Sequence, residues 1–175
     1  GSGAVVMVLF TIQGKPVPLR TVRFWTRIGR RRATAYNPSA TLQANFRRAT
    51  EEAHYFRDVP VFREQSIFVR VVFWIQRPAK HFIGRNRGPG RLRPQYQDQM
   101  AFLPRNSLDV DNLSKFVLDA MKGLLYSDDS QVVTLKSVKL HDNIGSCNGR
   151  TELQVWRVRP GDLPLLVESP YYLFR

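Results

Sequence analysis

Asp109 and Asp111 stand one residue apart in LDVDNLSK (residues 108–115), and Lys115 follows Asp111 by four. Five of the fourteen acidic residues, Asp109, Asp111, Asp119, Asp128 and Asp129, fall within 109–129, whereas the first fifty residues hold none. Carboxylates gathered this closely repel one another and any anionic substrate unless a cation sits among them. A hard divalent ion such as Mg²⁺ takes a few carboxylate oxygens plus waters. It makes a bound water nucleophilic and neutralises charge on a phosphate under attack. A lysine close by can hold the scissile phosphate or stabilise the departing oxygen. The chemistry these residues could do is metal-assisted phosphodiester cleavage, with Mn²⁺ able to replace Mg²⁺.

Plainer duties compete for the same side chains. Aspartate at a helix start caps free N–H groups and favours the helix dipole. Asp111–Lys115 and Lys115–Asp119 are i,i+4 pairs, each worth a few tenths of a kcal/mol, and SDDS (127–130) reads equally as a polar turn. An EF-hand is excluded, because the fifth loop position is Leu113 and no glycine follows it. Asp-x-Asp also serves nucleotide-sugar enzymes, but nothing else in this short chain points to such a fold.

The setting of the acids separates these readings. The chain carries 27 Lys and Arg against 14 Asp and Glu, a formal charge of +13 and a pI near 10.7. Twenty-one of the cations are arginine, whose planar fork suits phosphate. A nucleic-acid partner is the leading expectation, ahead of an acidic membrane surface. Cys147 is the one cysteine, which excludes an intrachain disulfide and a cysteine-based zinc site. His54, His81 and His141 are scattered. No apolar run approaches the ~20 residues of a membrane span, so an intracellular location with DNA is expected, with no membrane partner.

The elements that must position the acids follow from hydrophobic pattern. Residues 4–12 (AVVMVLFTI) and 66–75 (SIFVRVVFWI) read as buried strands, and 19–36 as two short strands about Gly29. Residues 37–56 read as a helix with Ser39 as a candidate cap. On a helical wheel beginning at Asp111, Lys115, Asp119 and Lys122 lie within about 80°. Leu113, Phe116, Val117, Ala120, Met121 and Leu124 gather opposite. A helix from 111 to about 122 is predicted, with Gly123 as its stop and Asp109 in the preceding turn. Residues 131–140 and 151–159 read as strands joined by a stretch with Asn-Gly hairpin chemistry. The fold class is α+β: a mixed β-sheet with two main helices in the order β, β-hairpin, α, β, α, β, β. Gly1–Gly3 reads as a cloning remnant, 4–159 as one domain and 160–175 as an apolar, Pro-broken tail. The segment 77–107, with seven basic residues, three Gly and four Pro, reads as a basic loop that is mobile or grips DNA.

DVDNLSK (109–115), LDAMKGLLY (118–126) and SDDSQVV (127–133), with Lys139 beyond them, resemble the signature of the RusA family of Holliday-junction resolvases. The resemblance extends loosely to GKPVPLRTVRF (14–24) and AYNPSA (35–40). It implies a symmetric homodimer that binds four-way DNA junctions and cuts two opposed strands with Mg²⁺. It also implies that Asp109, Asp111 and Asp129 are metal-binding carboxylates and Lys115 the catalytic basic residue. Asp119 is expected to support Lys115, and Asp128 to serve the turn. The three carboxylates should converge on one ion, within a chain or across a subunit boundary. Asn106-Ser107-Leu108, the long loop and the tail depart from the family pattern. Charge density nominates Arg20, Arg23, Arg85, Arg87, Arg91 and Arg93 as DNA contacts, and the resemblance adds Lys139. A non-cleaving junction-binding protein of the same fold, or a metal nuclease acting on flaps, forks or RNA, are the other classes the residues allow.

Overall fold

A computed structural model describes residues 7–20, 23–25, 34–53, 60–97, 104–105 and 108–162. The predicted strand 66–75 appears as β4 (Ile67–Ile75), apolar throughout except for Arg70, and the run has the expected cause. β4 lies inside the sheet, between β5 (Val132–His141) and β6 (Arg150–Arg157), so both of its edges are paired, and Ile67, Phe68, Val69, Val71, Val72 and Phe73 are buried. β1 (Met7–Gln13) alternates exposed and buried residues, as an outer strand with one covered face should. The four-stranded order is β1-β6-β4-β5, antiparallel except for the parallel pair β4–β5. A separate two-stranded ribbon pairs β2 (Arg23–Trp25) with β3 (Thr34–Tyr36).

Helices α1 (Ala40–Ala53) and α2 (Val110–Met121) are present as the periodicity predicts. α2 buries Leu113, Phe116, Val117, Ala120 and Met121 against Val8, Phe10, Val69, Val71, Phe73, Leu153 and Val155 of the sheet. The Phe46 and Phe116 rings meet edge to face at 5.8 Å, joining the two helices. α2 ends at Lys122, whose backbone is extended, and Gly123 follows at φ +80° with its N–H donating to Tyr126 O. Ser39 does occupy the α1 start, its carbonyl accepting from Gln43 N–H. Its hydroxyl, however, accepts from Arg20 N–H at 2.9 Å instead of capping its own helix.

One expectation changes. β5 and β6 do not form a hairpin, because β4 lies between them. The 142–149 connection crosses the end of β4, with Asp142 N–H donating to Ile75 O and Cys147 O accepting from Arg77 N–H. The Asn-Gly signal marks a left-handed turn in that crossing, where Gly149 has φ +99°. A Cβ there would meet Trp74 O at 3.0 Å.

Of the two readings open for the basic loop, residues 77–97 take the ordered one. Arg77 is only 1% exposed. Its guanidinium donates to Asp142 O (2.8 Å) and Tyr96 O (3.0 Å), and Nη1 lies 3.3 Å from His81 Nδ1. His81 stacks on Tyr96 at 4.0 Å and meets His141 edge-on at 5.1 Å. Asp142 receives Arg150 and the N–H groups of Ile144 and Gly149. Phe82, Leu92 and Cys147 form a small second core over this network. Burial and the Arg77 charge push the His141 imidazole down to about 4, and the same causes lower His81. The predicted tail lies outside the described residues beyond Asp162, as do residues 98–103 and 106–107.

Candidate active site

α2 and β5 run antiparallel, with contacts spaced along both. Lys139 Nζ donates to Leu108 O at 2.9 Å, the Ser114 and Ser137 hydroxyls meet at 2.7 Å, and Lys122 Nζ lies 3.3 Å from Asp129 Oδ2. The motif acids therefore fall at two ends of one helix, whose 12 residues span about 18 Å.

The N-terminal end holds Asp109, Asp111 and Lys115. Asp109 occupies the N-cap position with extended backbone, yet its side chain makes no capping bond. Its exposed carboxylate has no partner among the described residues. Asp111 faces Lys115 at 3.5 Å, both side chains more than half exposed (65% and 59%), so the pair contributes little stability. Leu19 N–H donates to Asn112 O at 2.8 Å, which places Arg20 next to this turn. Lys139, nominated as a DNA contact, is engaged with the carbonyl of the residue preceding Asp109. Arg23 takes its place in β2 opposite Tyr36.

At the C-terminal end the same residue type is differently occupied. Asp128 caps the turn 129–131, accepting from Ser130 N–H at 2.9 Å, and this bond above all lowers its carboxyl. Gln131 completes the capping box: its Oε1 accepts from Ser127 and Asp128 N–H, and its Nε2 donates to Phe62 O and Gln65 O. Asp129 and Asp128 flank the Lys122 ammonium at 3.3 and 3.6 Å. Partial burial, then the nearby Asp129 charge, raises the Asp119 carboxyl. Asp119 thus belongs to the Asp129 group, while Lys115 pairs with Asp111. Lys122 and Gln131 were not among the sequence candidates. The wheel put Lys122 on the acidic face, and Gln131 stood within the quoted motif, but neither signal revealed these contacts.

A cleft of about 310 Å³ runs between α2 and β5, lined by Val110, Asp111, Ser114, Lys115, Leu118, Leu135 and Ser137. β5 ends the sheet on this side among the described residues, leaving Val133 and Leu135 48% and 42% exposed. The oxygen-donor chemistry suits Mg²⁺. The geometry of one chain does not: among the described residues, no three His, Cys, Asp or Glu are disposed to hold one metal ion.

Of the loop arginines, Arg87 donates to Arg77 O (2.9 Å) beside the Phe82 ring, and Arg93 donates to Phe82 O (3.1 Å). Arg85 and Arg91 are exposed, with no side-chain hydrogen bond or ion pair among the described residues.

A mixed sheet backs a helix with acids at both ends, on a cationic chain. The family described as Endodeoxyribonuclease RusA matches residues 13–155, and the chain belongs to that family. Membership makes it a nuclease of a family that acts on DNA junctions. No curated protein matches the chain at a significant level. No helix among the described residues is long and apolar enough to cross a membrane.

Proposed function

We propose that this chain is a Mg²⁺-dependent endonuclease that resolves four-way DNA junctions by paired, symmetric cuts, as a homodimer whose active sites are each completed across the subunit boundary. The observation that carries this reading is the division of the motif carboxylates between the two ends of α2, beside an outer strand with exposed apolar residues. A two-fold axis beside Leu135 would turn one β5 end for end against another. The Asp129 end of one copy would then approach the Asp109–Asp111 end of its partner. Exposed Val133 and Leu135 favour such a contact by removing apolar surface from water. Two sites related by the axis also match the need for two opposed cuts.

In this arrangement Asp109 and Asp111 of one copy, with Asp129 of the other, would hold the ion. When bound, a hard divalent ion supplies charge neutralisation and a water of lowered pKa. Lys115, exposed beside Asp111, places an ammonium where the scissile phosphate must lie. Lys122 keeps Asp129 neutralised in the separate chain. Arg20 and the loop arginines supply cationic surface for DNA, so contacts are to phosphates and shape, not bases.

Mixing two inactive variants tests the reading. Asp111→Asn and Asp129→Asn should each be inactive on a four-way junction with Mg²⁺. After co-refolding, mixed dimers carry one site free of both substitutions and should produce single nicks without paired incision. Failure of the mixture to nick, with mixed dimers demonstrably formed, would reject the shared site. Cleavage by purified Asp111→Asn would reject the site assignment itself.

A further inference from the structure

We infer that the 77–97 loop is a preformed phosphate clamp that holds the sugar–phosphate backbone of a duplex arm on the same side of the molecule as the cut. The inference rests on the nuclease reading above and deepens it. The segment contains Arg77, Lys80, Arg85, Arg87, Arg91 and Arg93 and no acidic residue. Among the described residues none of these six cations is in an ion pair with a carboxylate. Arg77 is spent on the buried network, but the exposed Arg85 and Arg91 have no carboxylate partner among the described residues and can meet an outside anion.

The loop has a concave feature to receive that anion. A cleft of about 300 Å³ is lined by Ala79, Phe82, Gly84, Arg85 and Arg87. Gly84 has φ +75°, and a Cβ on it would lie 3.2 Å from Arg91 Nη2, so glycine lets a third guanidinium lie beside a residue that lines the cleft. Arg87 is aimed by its bond to Arg77 O. Ile83 N–H donates to Arg91 O at 2.7 Å, fixing the two sides of the loop to each other. The buried Arg77 network holds the whole in place, so little ordering cost is left for binding.

Phosphate, not base, is the group that fits. Single-stranded bases need open aromatic faces, but Phe82 is buried and Tyr96 is covered by His81. Position ties the clamp to the cut. The loop leaves the end of β4 and packs on His141 and Asp142, two and three residues beyond Lys139, whose ammonium holds Leu108 beside Asp109. A duplex reaching Asp109 and Asp111 therefore passes this end of the sheet.

The test uses the full chain carrying Asp111→Asn, so that DNA stays uncut, with binding to a four-way junction measured across a range of KCl concentrations. Adding Arg85→Ala and Arg91→Ala should reduce the slope of log affinity against log salt by about 1–2 and weaken binding about ten-fold at physiological salt. Arg85→Lys with Arg91→Lys should keep the slope. Both side chains are exposed, so an unchanged melting temperature is the control for folding. Slope and affinity equal to the parent would overturn the clamp, even if the unsubstituted enzyme resolves junctions. Salt-dependent binding by the parent, lost on arginine removal, alongside no cleavage by the unsubstituted chain, would support the clamp and sink the nuclease reading. No binding by the parent at any salt would overturn both.

Discussion

The two ends of α2 present the same residue type in opposite circumstances. At the N-terminal end, Asp109 makes no side-chain capping bond, and among the described residues Asp111 faces a solvent-exposed lysine. At the C-terminal end, Asp128 is committed to a capping box and Asp129 to Lys122. An aspartate whose structural duties are unfilled is available to a ligand; one that holds a turn together is not. The difference teaches that an acidic motif is a mixture of chemistry and scaffolding, and that hydrogen bonds sort the two.

The sharpest way to break this comparison is to neutralise one acid at each end. Asp111→Asn should lower junction cleavage by about 10³-fold or more, on the scale of losing a principal transition-state contact, with the unfolding midpoint unchanged. A large loss of stability would place Asp111 with the scaffold. The reverse pattern is expected of Gln131, whose side chain satisfies four backbone groups. Gln131→Ala should cost about 3 kcal/mol in urea unfolding, and a neutral outcome would remove the capping box from the scaffold.

Acid titration probes the anchor beneath the loop. The unfolded His141 imidazole titrates near 6.5 and the folded one near 4. The unfolded chain therefore binds more protons between those values, and stability falls as pH drops through that window. It is fully present above about 6.5 and should decline by up to about 3 kcal/mol toward pH 4. His81 shifts in the same direction. A urea midpoint whose decline over this window is the same with and without His141→Phe would reject the buried-histidine account.

Lys139→Met separates positioning from DNA contact at the N-terminal end. Cleavage should fall about ten-fold through a displaced Leu108–Asp109 turn, as for other residues that orient ligands, while the salt slope of binding stays constant. A slope lower by about one would return Lys139 to the DNA surface. The smallest effect concerns the Asp111–Lys115 pair: Lys115→Met should change stability by less than about 0.5 kcal/mol while slowing cleavage. A larger stability loss would make the pair structural.

Much of this architecture was legible in sequence because local patterns carry it. The wheel through 111–122 gave the buried stripe of α2, and the run 67–75, apolar but for Arg70, gave an inner strand. Strand partnership was not legible, since β4 inserts between β5 and β6 through pairings that no local pattern records. Nor was the order of the basic loop. It depends on burying Arg77, a residue type that composition places at the surface. The motif spacing brought Asp109, Asp111 and Asp129 together as text. It could not show that α2 holds them apart.

The parallel pairing of β4 with β5 has a consequence for how such a protein changes over time. Among the described residues between Ile75 and Val110, the chain is anchored at one side by Arg77 on Asp142 O and at the other by Leu108, whose carbonyl accepts from Lys139. Insertions or exchanges within the span need not disturb the register of the helix that follows. New DNA geometries could be sampled there while the cutting chemistry stays put, which makes this stretch a natural cassette for transplanting substrate preference.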